Sequence, residues 1–341
     1  MAELIPGLPE EIGLECMIRL PYTAHRDASR VCKRWRDLVL SRDYYNERKQ
    51  IGNTHKVACL VQSQSQSQNE FESKSVGIGL PPSYQIVMFD SVTQNWEKID
   101  PVPKYPDGLP LFSQLSSVEG KLVVMGGWSP VSWEPVKDVF VYDFTMRRWR
   151  QGKDMPSKRS FFATAAALDG RVYVAGGHDE CKNALRTAWA YDVREDEWTE
   201  LTQMSEERDE CEGALVFGGE FWVVSGYATE NQGSFVGSAE VYEIATGRWR
   251  RVEGAWGAGK CPRGCVGVGK DGGLICLGEL DSAVSVGACG VRLDESTLVT
   301  GSEYQGGPQG FFLLGQNGKL EKIQVPDEFS GFVQSGCCSE I

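Results

Sequence analysis

The sequence predicts a mainly β fold, a closed ring of small antiparallel sheets preceded by a short helical unit. Three observations lead there. Phe89, Tyr142, Tyr191 and Tyr242 are each followed seven residues later by a tryptophan: Trp96, Trp149, Trp198 and Trp249. Those tryptophans fall 53, 49 and 51 residues apart. Upstream of three pairs stand apolar runs that end in small residues: Leu122-Val123-Val124-Met125-Gly126-Gly127, Val172-Tyr173-Val174-Ala175-Gly176-Gly177 and Phe221-Trp222-Val223-Val224-Ser225-Gly226. The first fifty residues instead carry their apolar positions at helical spacing. One small sheet cannot bury both of its faces, so repeating sheets stack into the blades of a β-propeller.

Taken in chain order, residues 1–50 form the helical unit and residues 51–341 the propeller. Ile12, Cys16 and Leu20, then Val31, Trp35 and Leu38, recur at helical intervals. Pro9 ahead of Glu10 and Glu11 reads as a helix start, and Pro21 closes that helix. Two more helices are expected over 24–31 and 32–40, with a further stiff helix running toward Glu47-Arg48-Lys49. A strand follows at Val57-Ala58-Cys59-Leu60-Val61. The Gln/Ser-rich stretch 62–75 is too polar and too simple to pack, so a loop is expected there.

Each later unit supplies its own turn chemistry. Glu119-Gly120, Asp169-Gly170, Gly218-Gly219 and Asp271-Gly272 precede the apolar runs and supply the positive φ of a short hairpin. The diglycines permit a sharp bend where blades crowd together. The tyrosines and tryptophans are large apolar wedges with one polar atom, suited to the space between sheets. The fifth unit keeps Gly273-Leu274-Ile275-Cys276-Leu277-Gly278 but has Glu279 in place of the second glycine and no tryptophan. Its other strands are sought among 290–293, 311–314 and 319–324. Residues 331–338 resemble the opening strands 111–118 and 160–168, so the last strand is expected to pair into the first blade and close the ring. Five blades are expected. Six is the alternative, with a degenerate blade within 253–341.

Charge and composition exclude several classes of function. Residues 1–50 hold nine Lys/Arg and eight Asp/Glu, leaving 35 − 9 = 26 basic and 47 − 8 = 39 acidic residues in the rest, a net of −13. An acidic propeller repels phosphate backbones, so neither nucleic acid nor an anionic membrane is an expected partner. No apolar run is long enough to span a bilayer, and the N-terminus lacks a signal pattern, so an intracellular protein is expected. Eleven scattered cysteines agree with that. Cys261, Cys265, Cys276 and Cys289 contain no C-x-x-C pair and have no histidine nearby, so no metal site is expected. No nucleophile elbow or metal triad occurs, and Gly315-Gln316-Asn317-Gly318-Lys319-Leu320 has the wrong spacing for a phosphate loop. A hairpin turn is its expected role. No cofactor and no catalytic residue is assigned.

The expected business of the propeller is recognition, on the face where loops between second and third strands meet the links between blades. The loops offer Trp128, Trp133, His178, Arg186, Tyr227 and Phe235; the links offer Arg159, Arg208, Trp256 and Arg263. Arg159 and Arg208 each follow a methionine by four residues, Met155 and Met204. They therefore occupy equivalent positions. Three arginines on one rim are expected to grip carboxylates of a partner through paired hydrogen bonds. Aromatic residues beside them are expected anchors.

The repeat, closely through residues 111 to 252, resembles the kelch family. The string Leu8-Pro9-Glu10-Glu11-Ile12, Arg19-Leu20-Pro21 and Ser29-Arg30-Val31-Cys32-Lys33-Arg34-Trp35-Arg36 resembles the F-box. Together they resemble the plant F-box/kelch-repeat proteins, and the opening residues 4–16 are similar to the KISS ME DEADLY group. The resemblance implies a substrate receptor of an SCF-type cullin ubiquitin ligase, with no bond chemistry of its own. Its F-box would dock a Skp-type adaptor, and so join the cullin scaffold, with adaptor contacts at Leu8, Pro9, Ile12, Cys16, Leu20, Pro21, Val31, Cys32, Trp35 and Leu38. It implies as targets the type-B response regulators of cytokinin signalling and phenylalanine ammonia-lyase, degraded by the proteasome. Cytoplasm and nucleus are the expected locations. A non-degradative scaffold and a kelch-type enzyme acting on a small metabolite are the alternatives.

Overall fold

A computed structural model of the chain describes residues 3–64 and 82–341. Four helices come first: α1 Glu10–Ile18, α2 Tyr22–Val31, α3 Lys33–Val39 and α4 Arg42–Gln50. Blade I then holds β1 Lys56–Ser63, β2 Tyr84–Asp90 and β3 Asn95–Lys98. Blade II is β4 Gln114–Val118, β5 Lys121–Met125, β6 Val139–Asp143 and β7 Arg148–Gln151. Blade III is β8 Ala163–Ala166, β9 Arg171–Ala175, β10 Ala188–Asp192 and β11 Glu197–Glu200. Blade IV is β12 Glu212–Val216, β13 Glu220–Val224, β14 Ala239–Glu243 and β15 Arg248–Val252.

A two-stranded sheet, β16 Val266–Val268 with β17 Leu274–Cys276, follows blade IV. Blade V is β18 Val286–Arg292, β19 Thr297–Ser302, β20 Gly310–Leu314 and β21 Leu320–Lys322. Finally β22 Val333–Glu340 returns to pair antiparallel with β1, so blade I runs β22-β1-β2-β3. The five expected blades are present, each with four strands, and the ring closes through the last strand. The degenerate unit held as the alternative is the small sheet β16–β17, whose first strand lies between β12 and β18. The run 273–278 belongs to this sheet and not, as expected, to the fifth full blade. Without a tryptophan or a second glycine the unit adds no outer hairpin. Residues 315–320 form the hairpin turn between β20 and β21, closed by Gly315 N–H to Lys319 O at 3.1 Å.

The seven-residue spacing of the aromatic pairs is a cross-strand register. Tyr142 faces Trp149, Tyr191 faces Trp198, Tyr242 faces Trp249 and Phe89 faces Trp96 on paired strands. Their ring centroids lie 5.1, 4.9, 5.1 and 4.6 Å apart. Three of the indoles also reach back to the preceding link. The Nε1 of Trp149 donates to Asp100 O at 2.6 Å, that of Trp198 to Lys153 O at 2.8 Å and that of Trp249 to Thr202 O at 2.6 Å. Each ring thus fills the gap between blades and ties its own blade to the previous link. Such cross-strand aromatic pairs are the unit of sheet stabilisation.

Two local expectations are corrected. Gln62 and Ser63 belong to β1 and not to a loop, because Gln62 finds partners for its amide inside the ring. Its Nε2 donates to Phe329 O at 2.5 Å and to Gly331 O at 2.9 Å. Residues 65–75 of the expected loop lie outside the described residues. In blade IV the positive φ falls on Phe217 (50°) and Gly218 (70°), one residue earlier than expected. The diglycine argument is borne out at Gly177, with φ 80°, where an added Cβ would lie 2.4 Å from Ser160 O.

The helical unit is mounted firmly on one end of the ring. Leu4, Met17, Ile18, Ala28, Val39 and Tyr44 form a small core of their own. Buried Arg48 donates from Nη1 to Ile18 O (2.6 Å) and Leu20 O (2.5 Å), and from Nη2 to Asn53 O (2.6 Å). The C-terminal strand completes the mount. Glu340 accepts from Thr54 Oγ1 and pairs with Lys49, both at 2.7 Å, while His55 and Ile341 exchange backbone bonds at 3.0 Å. Arg42 pairs with Glu119 at 2.6 Å in the β4–β5 turn.

Ring closure gives the first prediction. Gln62→Ala removes both amide contacts and strands carbonyls at the closing seam, a loss of about 1–3 kcal/mol. A lowered urea midpoint relative to the unsubstituted chain would show it.

Candidate functional site

Two surfaces at opposite ends of the propeller carry the candidate residues. The first is on the helical unit. Leu20, Trp35 and Leu38 pack half-buried against its core, and Trp35 Nε1 donates to Leu4 O at 2.7 Å. Those residues shape the unit. Pro9, Ile12, Cys16, Pro21, Val31 and Cys32 remain exposed, with Ile12 and Val31 at 50% and 63%; Leu8 is half-buried. Glu10 and Arg34 pair across α1 and α3, which holds Pro9 close to the α2–α3 junction where Val31 and Cys32 lie. The arrangement is an apolar stripe left uncovered on a rigid support.

The second surface is the end of the ring where the first strand of each blade begins. Two residues before that strand, the chain takes a left-handed turn at Phe112 (φ 59°), Phe161 (56°) and Glu210 (49°). These positions recur every 49 residues. The Phe112 and Phe161 rings lie 4.2 Å apart between centroids, and the Arg263 guanidinium sits 4.8 Å from the Phe161 centroid and 5.5 Å from that of Phe112. Arg263 Nε pairs with Glu210 at 3.1 Å, and Tyr227 Oη donates to the same carboxylate at 2.9 Å. Tyr227 also meets Phe235 at 5.3 Å.

His178 joins the same patch. Its Nδ1 lies 2.9 and 3.0 Å from the two carboxylate oxygens of Asp209, while its ring contacts Trp128 at 5.4 Å and Phe161 at 5.3 Å. Lys182 stands 5.8 Å over Trp128. Below the patch a cavity of about 530 Å³ narrows into an axial channel of about 250 Å³. Glu212 lines both. Burial pushes its carboxyl up to about 7, against the Gly264 N–H that it accepts at 2.6 Å and the field of Arg263.

Comparison with known proteins agrees with both halves of this architecture. Residues 5–47 match the F-box domain model, and residues 81–268 match the KLHDC2/KLHL20/DRC7 Kelch-repeats domain model. The chain is 37% identical to the F-box/kelch-repeat protein At1g15670 of Arabidopsis thaliana, over 99% of this chain and 100% of that protein. It is 39% identical to At2g44130 of the same plant, covering 74% of this chain and 66% of that one. Against SKIP20, also an F-box/kelch-repeat protein of Arabidopsis thaliana, identity is 37% with 74% and 67% covered. The chain belongs to the F-box/kelch-repeat family. Members of this family are typically non-catalytic adaptors, and an F-box implies association with a Skp-type adaptor in an SCF assembly.

Within the kelch propeller the expected arginine rim needs correcting. Arg159 and Arg208 are 1% and 0% exposed. Arg159 donates to Gly176 O (3.0 Å), Thr187 O (3.3 Å) and Thr187 Oγ1 (2.8 Å), and burial pushes its guanidinium down to about 10. Arg208 repeats the pattern one blade on, with Ser225 O (2.9 Å), Ser238 O (3.1 Å) and Ser238 Oγ (3.0 Å), and lies 3.4 Å from buried Glu240. Each caps the carbonyl at the end of the second strand, Gly176 O or Ser225 O. Each also adds a second donor to the carbonyl opposite, Thr187 O or Ser238 O, which accepts from Gly176 N–H or Ser225 N–H as well. Neither is free to grip another molecule. Trp256 is likewise buried, in a cluster with Val224 and Leu277, donating to Lys260 O at 3.1 Å. Trp133 and Arg186 stand exposed on the loops.

The structure therefore gathers Trp128, His178, Tyr227, Phe235 and Arg263 and adds Phe112, Phe161, Asp209, Glu210 and Glu212, which the sequence reading missed. Positions 112, 161 and 210 recur at 49 residues, but what they share is a left-handed φ and not a residue type.

Two predictions follow from these positions. Arg208→Ala leaves Glu240 buried without its cation and lowers stability by about 3–5 kcal/mol in urea unfolding. Glu212 binds its proton more tightly in the native chain than an ordinary glutamate near 4.5 does in the unfolded one. Its contribution to stability is therefore full below pH 4.5 and is lost as pH rises to about 7. Glu212→Gln should flatten that part of the stability–pH curve; an unchanged difference between urea midpoints at pH 4.5 and 7.5 would contradict it.

Proposed function

We propose that this protein is the substrate-receptor subunit of an SCF-type E3 ubiquitin ligase, docking a Skp-type adaptor and its cullin through the F-box and capturing proteins on the kelch propeller. The single observation that carries this reading is the rigid opposition of two surfaces. Phe112 and Glu119 lie at opposite ends of β4, a span of about 17 Å for five residues. The F-box is fixed at the Glu119 end by Arg42, Lys49 and Thr54, and the aromatic cavity opens at the other. A receptor works by raising the local concentration of a captured lysine near an activated ubiquitin, and a stiff mount narrows the volume searched.

The resemblance to the KISS ME DEADLY group supports a finer proposal. The captured proteins would be type-B response regulators and phenylalanine ammonia-lyase, which would make the protein a negative regulator of cytokinin signalling and of phenylpropanoid synthesis. It would act in cytoplasm and nucleus. Accumulation of these proteins under proteasome inhibition, dependent on the propeller, would support degradation; stable co-complexes without turnover would favour a scaffold.

The docking claim has a direct test. Ile12→Glu with Val31→Glu places two charges on the exposed stripe and leaves the small core untouched. Co-purification with a Skp-type adaptor and cullin should fall at least tenfold, while the urea midpoint of the propeller stays unchanged. Retained association would overturn the assignment of this surface.

A further inference from the structure

Glu212 opens β12 at the neck where the upper cavity narrows into the axial channel. It is the charged residue of the channel wall, whose other polar side chains include Gln114, Ser116, Thr164 and Ser335. Its hydrogen bonds are to backbone amides, Gly264 at 2.6 Å and its own neighbour Gly213 at 3.3 Å. The cations around the cavity are paired elsewhere: Arg263 with Glu210, and Lys260 with Glu279. The floor of the cavity therefore holds one carboxylate more than its cations match. Burial raises the Glu212 carboxyl, against the two backbone amides and the field of Arg263.

The walls above are aromatic. Phe112, Phe161 and Phe332 all line the cavity, and Phe332 is 43% exposed. Aromatic faces attract a cation, more strongly where water is scarce. Arg263, lying over Phe112 and Phe161, shows these rings already holding a guanidinium. Phe112 and Phe161 keep left-handed backbone, a strained conformation for a bulky residue and one concentrated at ligand clamps. The net charge of −13 over residues 51–341, from 26 basic and 39 acidic residues, adds long-range attraction for a positive partner.

We infer that the upper cavity receives a lysine or arginine side chain from an extended segment of a captured protein, its stem among the phenylalanine rings and its head on Glu212. The occupant has the opposite sign to the acidic partner that an arginine rim would select. The inference rests on the reading that this face captures protein. It adds the chemistry of what is captured.

The test uses the full-length chain bound to its Skp-type adaptor, with a phage-displayed library of random dodecapeptides as probe. Recovered peptides are sequenced, synthesised and titrated by fluorescence anisotropy. The expected result is enrichment of lysine or arginine beside apolar residues, with affinity at least tenfold weaker on Glu212→Gln and severalfold weaker on Phe332→Ala. Binding should be unchanged on the outer-strand control Glu200→Gln and should weaken with added salt. Urea midpoints of the variants at pH 7.5 that are no lower than that of the unsubstituted chain exclude unfolding as the cause of any loss. Acidic peptides whose binding depends on Arg263 and not on Glu212 would overturn the inferred sign and leave protein capture standing. Recovery of no peptide sensitive to Glu212→Gln would overturn the cavity as the capture site. Loss of adaptor association is read separately by co-purification, so a failure of the receptor reading is not mistaken for a failure of this one.

Discussion

The pairing of the last strand with the first is the contact on which the rest of the molecule depends. A ring of blades joined only by packing can open at one seam, and β22 against β1 seals that seam with a ladder from Lys56–Glu340 to Gln62–Val333. The same strand serves both ends of the protein. At one end Phe332 lines the upper cavity, Gln334 Oε1 accepts from Phe112 N–H at 2.7 Å and Ser335 Oγ donates to Ser113 O at 3.0 Å. At the other, Glu340 and Ile341 hold the F-box. Closure, cavity wall and mount thus run through one eight-residue strand and the two residues that flank it. Disturbance of the seam reaches both surfaces.

The remaining blades are fastened by a repeated division of labour. Indole N–H groups tie the outer strands to the previous link, and buried guanidinium groups satisfy carbonyls at the bend before the third strand. An arginine buried this way is stable only because several acceptors surround it; the desolvation of its charge must be offset by those bonds. Arg208 has a carboxylate as well, in Glu240, whereas Arg159 relies on carbonyls and hydroxyls. Burial lowers the affinity of Arg159 for its proton. The framework and the aromatic face therefore use different residues, although they alternate along the same links.

The fold was legible because its causes are local and periodic. Tyr142 and Trp149 must face each other across a hairpin, and that geometry writes a fixed spacing into the sequence. The F-box string was legible for a similar reason, since Pro9, Pro21 and the Val31-to-Trp35 segment punctuate helices directly. The roles of Arg159 and Arg208 were not. A charged residue beside a loop reads as exposed by default, and only the position of Gly176, Thr187, Ser225 and Ser238 carbonyls around it reveals otherwise. Phe112, Phe161 and Glu210 escaped because phenylalanine and glutamate share no chemical type. Their likeness is a left-handed φ, which a sequence of L-residues does not announce.

The two surfaces also explain each other energetically. Exposed Ile12 and Val31 work against solubility, and a forty-residue helical unit has too little interior to hide them. The propeller does not cover them either; it meets the unit through Arg42 with Glu119, Lys49 with Glu340 and the Tyr22 ring packed on the propeller core. Those contacts fix the orientation without using Ile12 or Val31. They leave the apolar stripe uncovered for a partner and aim it away from the aromatic cavity at the far end of β4. A mount made instead by burying Ile12 and Val31 on the blades would be more stable and would remove the docking surface altogether.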